Sequence, residues 1–117
     1  MSGARSYHAG FAAEDQVARY YIGAGYQICS RRWRGSAGEI DLIARIGQEV
    51  IFIEVKQSSS HALAAQHLTA RQMARIYASA AEFLAGEPDG QLTKSRFDVA
   101  LVDGSGQIEI LENAFME

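Results

Sequence analysis

The spacing of apolar and polar positions changes period several times along the chain, and the changes mark out its elements. From residue 8 to 24 the residues Ala13, Val17, Tyr20, Tyr21 and Ala24 recur three and four apart, the signature of an amphipathic helix. Gly25 follows where a left-handed residue closes a helix. Residues 26 to 34 read as a strand, and Gly35-Ser36-Ala37-Gly38 as a turn. Two apolar runs, 39 to 46 and 49 to 56, flank Gly47-Gln48, and residues 57 to 67 read as a loop. Helical spacing returns over 69 to 85, with Thr69 as N-cap and Gly86 as stop. Residues 96 to 103 and 107 to 112 form a last hairpin across Gly104-Ser105-Gly106. The order predicts one α/β domain over residues 1–117, core about 8–113, with a mixed central sheet flanked by helices.

The middle hairpin carries the most information. Gly47-Gln48, glycine first, suits a type II′ turn. That turn pairs Ile46 with Glu49, and counting outward puts Asp41 opposite Glu54 and Glu39 opposite Lys56. Directly opposed residues have Cβ atoms about 4.5–5.5 Å apart. One face then carries Ile40, Leu42, Ala44 and Ile46 with Ile51, Ile53 and Val55, a wholly apolar surface. The other face holds Ile43, Val50 and Phe52 near the turn and gathers Glu39, Asp41, Glu54 and Lys56 at the far end. Cross-strand pairing accounts for Glu39 with Lys56. It does not account for Asp41 facing Glu54, since opposed like charges destabilise a sheet unless a cation intervenes. Two hard carboxylates at that separation suit Mg²⁺ (or Mn²⁺), and Lys56 on the same face can orient or deprotonate a water, or stabilise a phosphorane-like transition state.

Composition narrows the classes. With 48% hydrophobic and 21% charged residues the chain is globular, not disordered. The single cysteine, Cys29, cannot form an internal disulfide, which fits a reducing cytoplasm, and it reads as a small buried hydrophobe. Met1 to Gly10 has no apolar signal region and no stretch is long enough to span a bilayer, so a cytoplasmic protein without a membrane partner is expected. A net charge of −3 and a pI near 5.6 exclude coating of nucleic acid by bulk charge. They do not exclude an enzyme acting on it, because metal-binding carboxylates account for part of the deficit. The positive charges cluster: Arg31, Arg32 and Arg34 lead into the hairpin, and Arg71 and Arg75 lie one turn apart on the second helix. Arg32, Arg34 and Arg71 read as nucleic-acid contacts or as an ordinary solvated edge. Trp33 reads as a base-stacking residue or as core, and Asp98 as a structural partner for Arg96 or a backbone amide. His8, His61 and His67 show no metal-ligand spacing.

The string Gly38-Glu39-Ile40-Asp41-Leu42-Ile43-Ala44, followed by Phe52-Ile53-Glu54-Val55-Lys56, resembles the bacterial UPF0102 (YraN-like) family. Further matches are Glu14 and Ala18, Arg34, Arg96-Phe97-Asp98-Val99 and Asn113-Ala114-Phe115, so the resemblance covers nearly the whole chain. It implies a restriction-endonuclease-like core of the PD-(D/E)xK type, order αβββαβ, similar to archaeal Holliday-junction resolvases, with an added C-terminal strand. On that resemblance Asp41, Glu54 and Lys56 are the metal and catalytic triad, Glu14 joins Asp41 and Glu54 at the metal, and Glu39 supports Lys56. It also implies a homodimer presenting two sites to two strands. Three positions depart from the family pattern: Ser58 stands where an arginine is usual, Arg32 where an asparagine is usual, and Arg71 where a lysine is usual.

The expected function is a Mg²⁺-dependent endonuclease hydrolysing phosphodiester bonds in DNA, branched or single-stranded. The alternative is a non-catalytic nucleic-acid-binding or dimeric interaction module that keeps the nuclease fold.

Overall fold

A computed structural model describes the backbone of residues 2–114 and the side chains of residues 12–114. Phe115 and the side chain of His8 lie outside the described residues. The elements are α1 (Ser2–Gly23), β1 (Gln27–Arg34), β2 (Glu39–Ile46), β3 (Glu49–Gln57), α2 (His61–Gln66), α3 (Ala70–Leu84), β4 (Ser95–Val102) and β5 (Ile108–Leu111), with a short 3₁₀ turn at Gly90–Leu92. The five strands form one sheet in sequence order, antiparallel except for the parallel pair β3 and β4. Helix α1 covers one face; α2 and α3 cover the other. The order αβββααββ is that of a restriction-endonuclease-like αβββαβ core with α2 and one strand added.

Local chemistry explains the boundaries. Gly25 takes φ +97°, and Tyr26 N donates to Tyr21 O at 2.9 Å while Gly25 N donates to Ile22 O at 3.0 Å, a Schellman closure of α1. Gly47 takes φ +58° at the first central position of the β2–β3 turn, where Gln48 keeps a negative φ, as a type II′ turn requires. Thr69 and Gln72 form a reciprocal capping box at the start of α3. The segment expected as a loop contains α2 instead: Ser60 Oγ accepts from Leu63 N at 3.2 Å, and Ala64 is fully buried. Its sequence His-Ala-Leu-Ala-Ala-Gln consists largely of good helix formers, and a polar cap is enough to start them.

Strand β3 lies between β2 and β4, and Val50, Ile51, Phe52 and Ile53 are buried in succession because helices cover both faces. Leu42, Ala44, Ile51 and Ile53 pack under Val17 and Tyr21 of α1. Ile43, Val50 and Phe52 pack under Ala80 and Leu84 of α3. Ile40 does not join Leu42 as expected. It lies with Trp33 on the α3 side, because the strand's alternation breaks at Asp41, and Ile46 at the turn is 39% exposed. Cys29 is exposed, contrary to expectation, because it falls at the irregularity between Ile28 and Ser30 where β1 shifts register against β2.

Asp98 fastens the last turn of α1 and the segment after β5 to the sheet. Its buried carboxylate accepts from Tyr21 Oη at 2.7 Å, from Arg96 Nε at 2.8 Å and Nη2 at 2.9 Å, and from Asn113 N at 3.1 Å. Asp98→Ala leaves the Tyr21 phenol without its acceptor in the core and takes from the half-buried Arg96 guanidinium its bidentate partner, and is expected to cost about 3–5 kcal/mol. Urea unfolding should show a lower midpoint at unchanged slope; a loss under about 1 kcal/mol would contradict the role.

Candidate active site

The β2–β3 register holds to the pair Leu42 and Ile53, and the main-chain ladder ends there. One residue on, the carboxylate of Asp41 replaces it: Oδ2 accepts from Val55 N at 2.8 Å. This side-chain bond fixes the rotation of the carboxylate and brings it into hydrogen-bonding contact with Glu54. Glu54 projects from the central strand, paired in register with Val99 of β4, and its side chain is only 10% exposed. Lys56, two residues on, places Nζ 3.2 Å from Glu54 Oε2. Asp41, Glu54 and Lys56 therefore form one contiguous group.

Glu39 does not pair with Lys56. It pairs with Arg34 across the end of the β1–β2 ladder, with Arg34 Nη2 at 3.4 Å from Glu39 Oε2. The expected pair depends on the ladder running on past Asp41, and the bond from Val55 to Asp41 ends it. Glu14 on α1 comes within electrostatic range of Asp41 and Glu39, and Arg32 Nε donates to its Oε1 at 3.0 Å. Arg32 adopts φ +53°, a left-handed conformation that asparagine tolerates and arginine seldom adopts. Among the described residues no three His, Cys, Asp or Glu side chains stand close enough together to hold a metal ion. The preassembled unit is thus the Asp41–Glu54 pair, with Glu14 held to one side by Arg32.

Burial and mutual repulsion govern the electrostatics. Burial, then the charge of Asp41, pushes Glu54 up to about 8, against the pull of Lys56. Burial raises Asp41 as well, opposed chiefly by the bond from Val55. Glu14 is raised by burial and by Asp41, and drawn back by Arg32. All three carboxylates hold protons more tightly than free side chains do, which marks a site lacking cationic charge.

A cleft of about 170 Å³ opens over the pair. Gly38, Glu39, Asp41 and Glu54 form its sheet side, and Gln72 and Arg75 of α3 form the other. Arg71 is exposed and does not line it; Arg34 is exposed on β1. The pattern that marks Arg75 is present in the sequence: Gln72, Arg75, Ile76 and Ser79 follow the three-four spacing of one helix face, with apolar Ile76 and buried Ser79 showing which way that face turns. Trp33 belongs to the core, with its ring edge-on to Phe83 at 5.5 Å. His61 Nε2 donates to Gln107 O, 2.9 Å away, and ties α2 to the β4–β5 turn.

A family model described as "Uncharacterised protein family UPF0102" matches residues 13–102, a span that includes every residue of the cluster. The chain belongs to UPF0102. A UPF0102 protein of Cereibacter sphaeroides is 70% identical over 115 residues, covering 98% of each chain. One from Ruegeria pomeroyi is 65% identical, covering 97% of this chain and 92% of its own. A more distant UPF0102 protein of Dinoroseobacter shibae is 44% identical, with 97% and 85% covered. Among the described residues no helix is long and apolar enough to cross a membrane.

Proposed function

We propose that this UPF0102 protein is a divalent-metal-dependent phosphodiesterase that cuts DNA, branched or single-stranded, with Asp41, Glu54 and Lys56 at its reacting centre. The observation that carries the reading is the contact between two carboxylates withdrawn from solvent, buried Glu54 and half-buried Asp41. Such a contact is unfavourable unless a proton or a cation lies between them. An oxygen-only donor set fits Mg²⁺ or Mn²⁺, which need only one or two carboxylates because water fills their remaining positions. Asp41 and Glu54 would hold the ion, Glu14 would join them once released from Arg32, and the ion would supply charge neutralisation at phosphorus and an acidified water.

The chain's own groups do the rest. The bond from Val55 N keeps Asp41 in one orientation, so no reorganisation accompanies the reaction. Glu54 holds Lys56 Nζ beside the pair, where it can orient a water or carry a proton and oppose developing negative charge. Arg34 and Arg71, exposed outside the cleft, would meet flanking phosphates, whereas Arg32 is engaged by Glu14.

The test is incubation with junction, flap and linear DNA in Mg²⁺ or Mn²⁺, and in chelator. Cleavage confined to the metal-containing reactions supports the reading, and absence of cleavage on every substrate removes it. One observation favours a second reading: Arg32 occupies the carboxylate that would be a third ligand. A non-catalytic module would bind nucleic acid in chelator and in Asp41→Ala, and never cut. In both readings a homodimer is proposed, which the mass in solution checks.

A further inference from the structure

One wall of the cleft has no share in the acid cluster. Among the described residues, Arg31, Arg32, Arg34, Arg45 and Arg96 each engage a carboxylate. Arg75 forms no ion pair with any described residue, although Glu39, Asp41 and Glu54 line the same cleft. Its stem runs past Gly38, where an added Cβ would lie 3.9 Å from Arg75 Cβ and Cδ. Beside it, Gln72 uses its amide oxygen to accept from Thr69 N at 3.4 Å in the helix cap, which leaves the amide NH₂ to donate. The acid wall is thus opposed by a guanidinium and an amide donor.

The two walls are tied at a fixed separation. Ser79 Oγ of α3 donates to Gly38 O at 2.8 Å, and Ser36 N donates to Glu82 of α3 at 3.0 Å. The lining of this cleft of about 170 Å³ is polar and charged apart from Ile76 and Gly38, so it offers donors to a phosphate and little apolar surface on which a base could stack. Phosphate contacts position a strand without reading sequence.

We propose that Arg75, with Gln72 beside it, is the phosphate-binding wall of the cleft, and that the site takes a nucleic-acid strand by its sugar–phosphate backbone without regard to base. The identity of the ligand rests on the nuclease reading above; the binding step does not depend on cleavage.

The experiment is fluorescence anisotropy of two single-stranded oligonucleotides of unrelated sequence, over a salt series, in Ca²⁺ buffer with the full chain. Arg75→Ala should weaken both by the same factor, about tenfold, and reduce the slope of log K against log salt by roughly one contact, about 0.7 for a single strand. Arg75→Lys should recover most of that slope, and Arg71→Ala should lose less than Arg75→Ala. Arg75 is exposed, so both variants should unfold at the wild-type temperature. The proposal is overturned if wild type binds neither oligonucleotide, if Arg75→Ala binds within twofold of wild type or keeps its slope, if the loss depends on sequence, or if Arg71→Ala loses as much. Arg75-dependent binding without Mg²⁺-dependent cleavage removes the catalytic reading alone. Cleavage with unaltered Arg75→Ala binding removes this proposal alone.

Discussion

Glu54→Gln is expected to lower Mg²⁺-dependent cleavage by about 10³-fold or more while making the protein more stable at pH 8. The two effects have one origin. Glu54 is buried on the central strand in contact with a second carboxylate, and its charged form is opposed by lost solvation and by Asp41. Glutamine has the same shape. Its carbonyl oxygen can still accept from Lys56 Nζ and its NH₂ can donate to Asp41, so both contacts persist and the repulsion disappears. What is lost is the second anionic oxygen donor that a hard cation requires. Asp41→Ala is a less clean probe, because it also strands Val55 N–H at a cost of about 1–3 kcal/mol. The ratio of kcat/KM in Mg²⁺ and a thermal melt at pH 8 in chelator decide the matter. Activity within tenfold of wild type, or a lower melting temperature, would remove Glu54 from the reacting centre.

The hairpin that carries this prediction is legible because its constraints are local. A glycine at the first turn position sets the register, period-two burial sets the faces, and together they bring Asp41 to Glu54 without knowledge of the rest of the fold. The same reasoning fails one step further out. It assumes that the ladder continues, so it gives Lys56 to Glu39, whereas the carboxylate of Asp41 takes the amide that the ladder would use. Period counting has no means of detecting a side chain that substitutes for a backbone acceptor. Cys29 is misplaced for a related reason, since a register shift in β1 moves a residue across the sheet without any mark in composition.

Contacts made through tertiary structure are less legible. The sequence offers Arg71 and Arg75 on equal terms, and only the docking of α3 on the Gly35–Gly38 turn, through Ser79 and Glu82, puts Arg75 at the cleft. Resemblance alone places Glu14 near the acid pair, and no spacing rule joins it to Arg32, the residue that holds it. The left-handed backbone at Arg32 gives a physical sense to the asparagine usual in the family there: that conformation suits asparagine, and this chain accepts strain at a position where a guanidinium can reach Glu14.

In chelator, the protein's stability is expected to fall as pH rises from about 5 to 8, and saturating Mg²⁺ is expected to reverse the fall at pH 8 while changing little at pH 5. Glu54 has a folded value of about 8 against about 4.5 unfolded, so between those limits the native state binds more protons than the unfolded chain. Its favourable contribution is complete below about pH 4.5 and lost above about 8. Asp41 and Glu14 are raised as well, mainly by burial, and act in the same direction. Each tenfold gain in a carboxylate's proton affinity on folding is worth about 1.4 kcal/mol, or roughly 5 °C of Tm in a domain near this size. Metal binding needs deprotonated ligands, so an ion at about 100 times its Kd adds about 2.7 kcal/mol where the carboxylates are ionised and little where they hold protons. Glu54→Gln should flatten the pH dependence and remove most of the Mg²⁺ effect together, since both arise from one carboxylate pair. A melting temperature that is level or rising between pH 5 and 8 in chelator would contradict the crowded, proton-holding pair. Equal stabilisation by Mg²⁺ at both pH values would place the ion elsewhere on the protein.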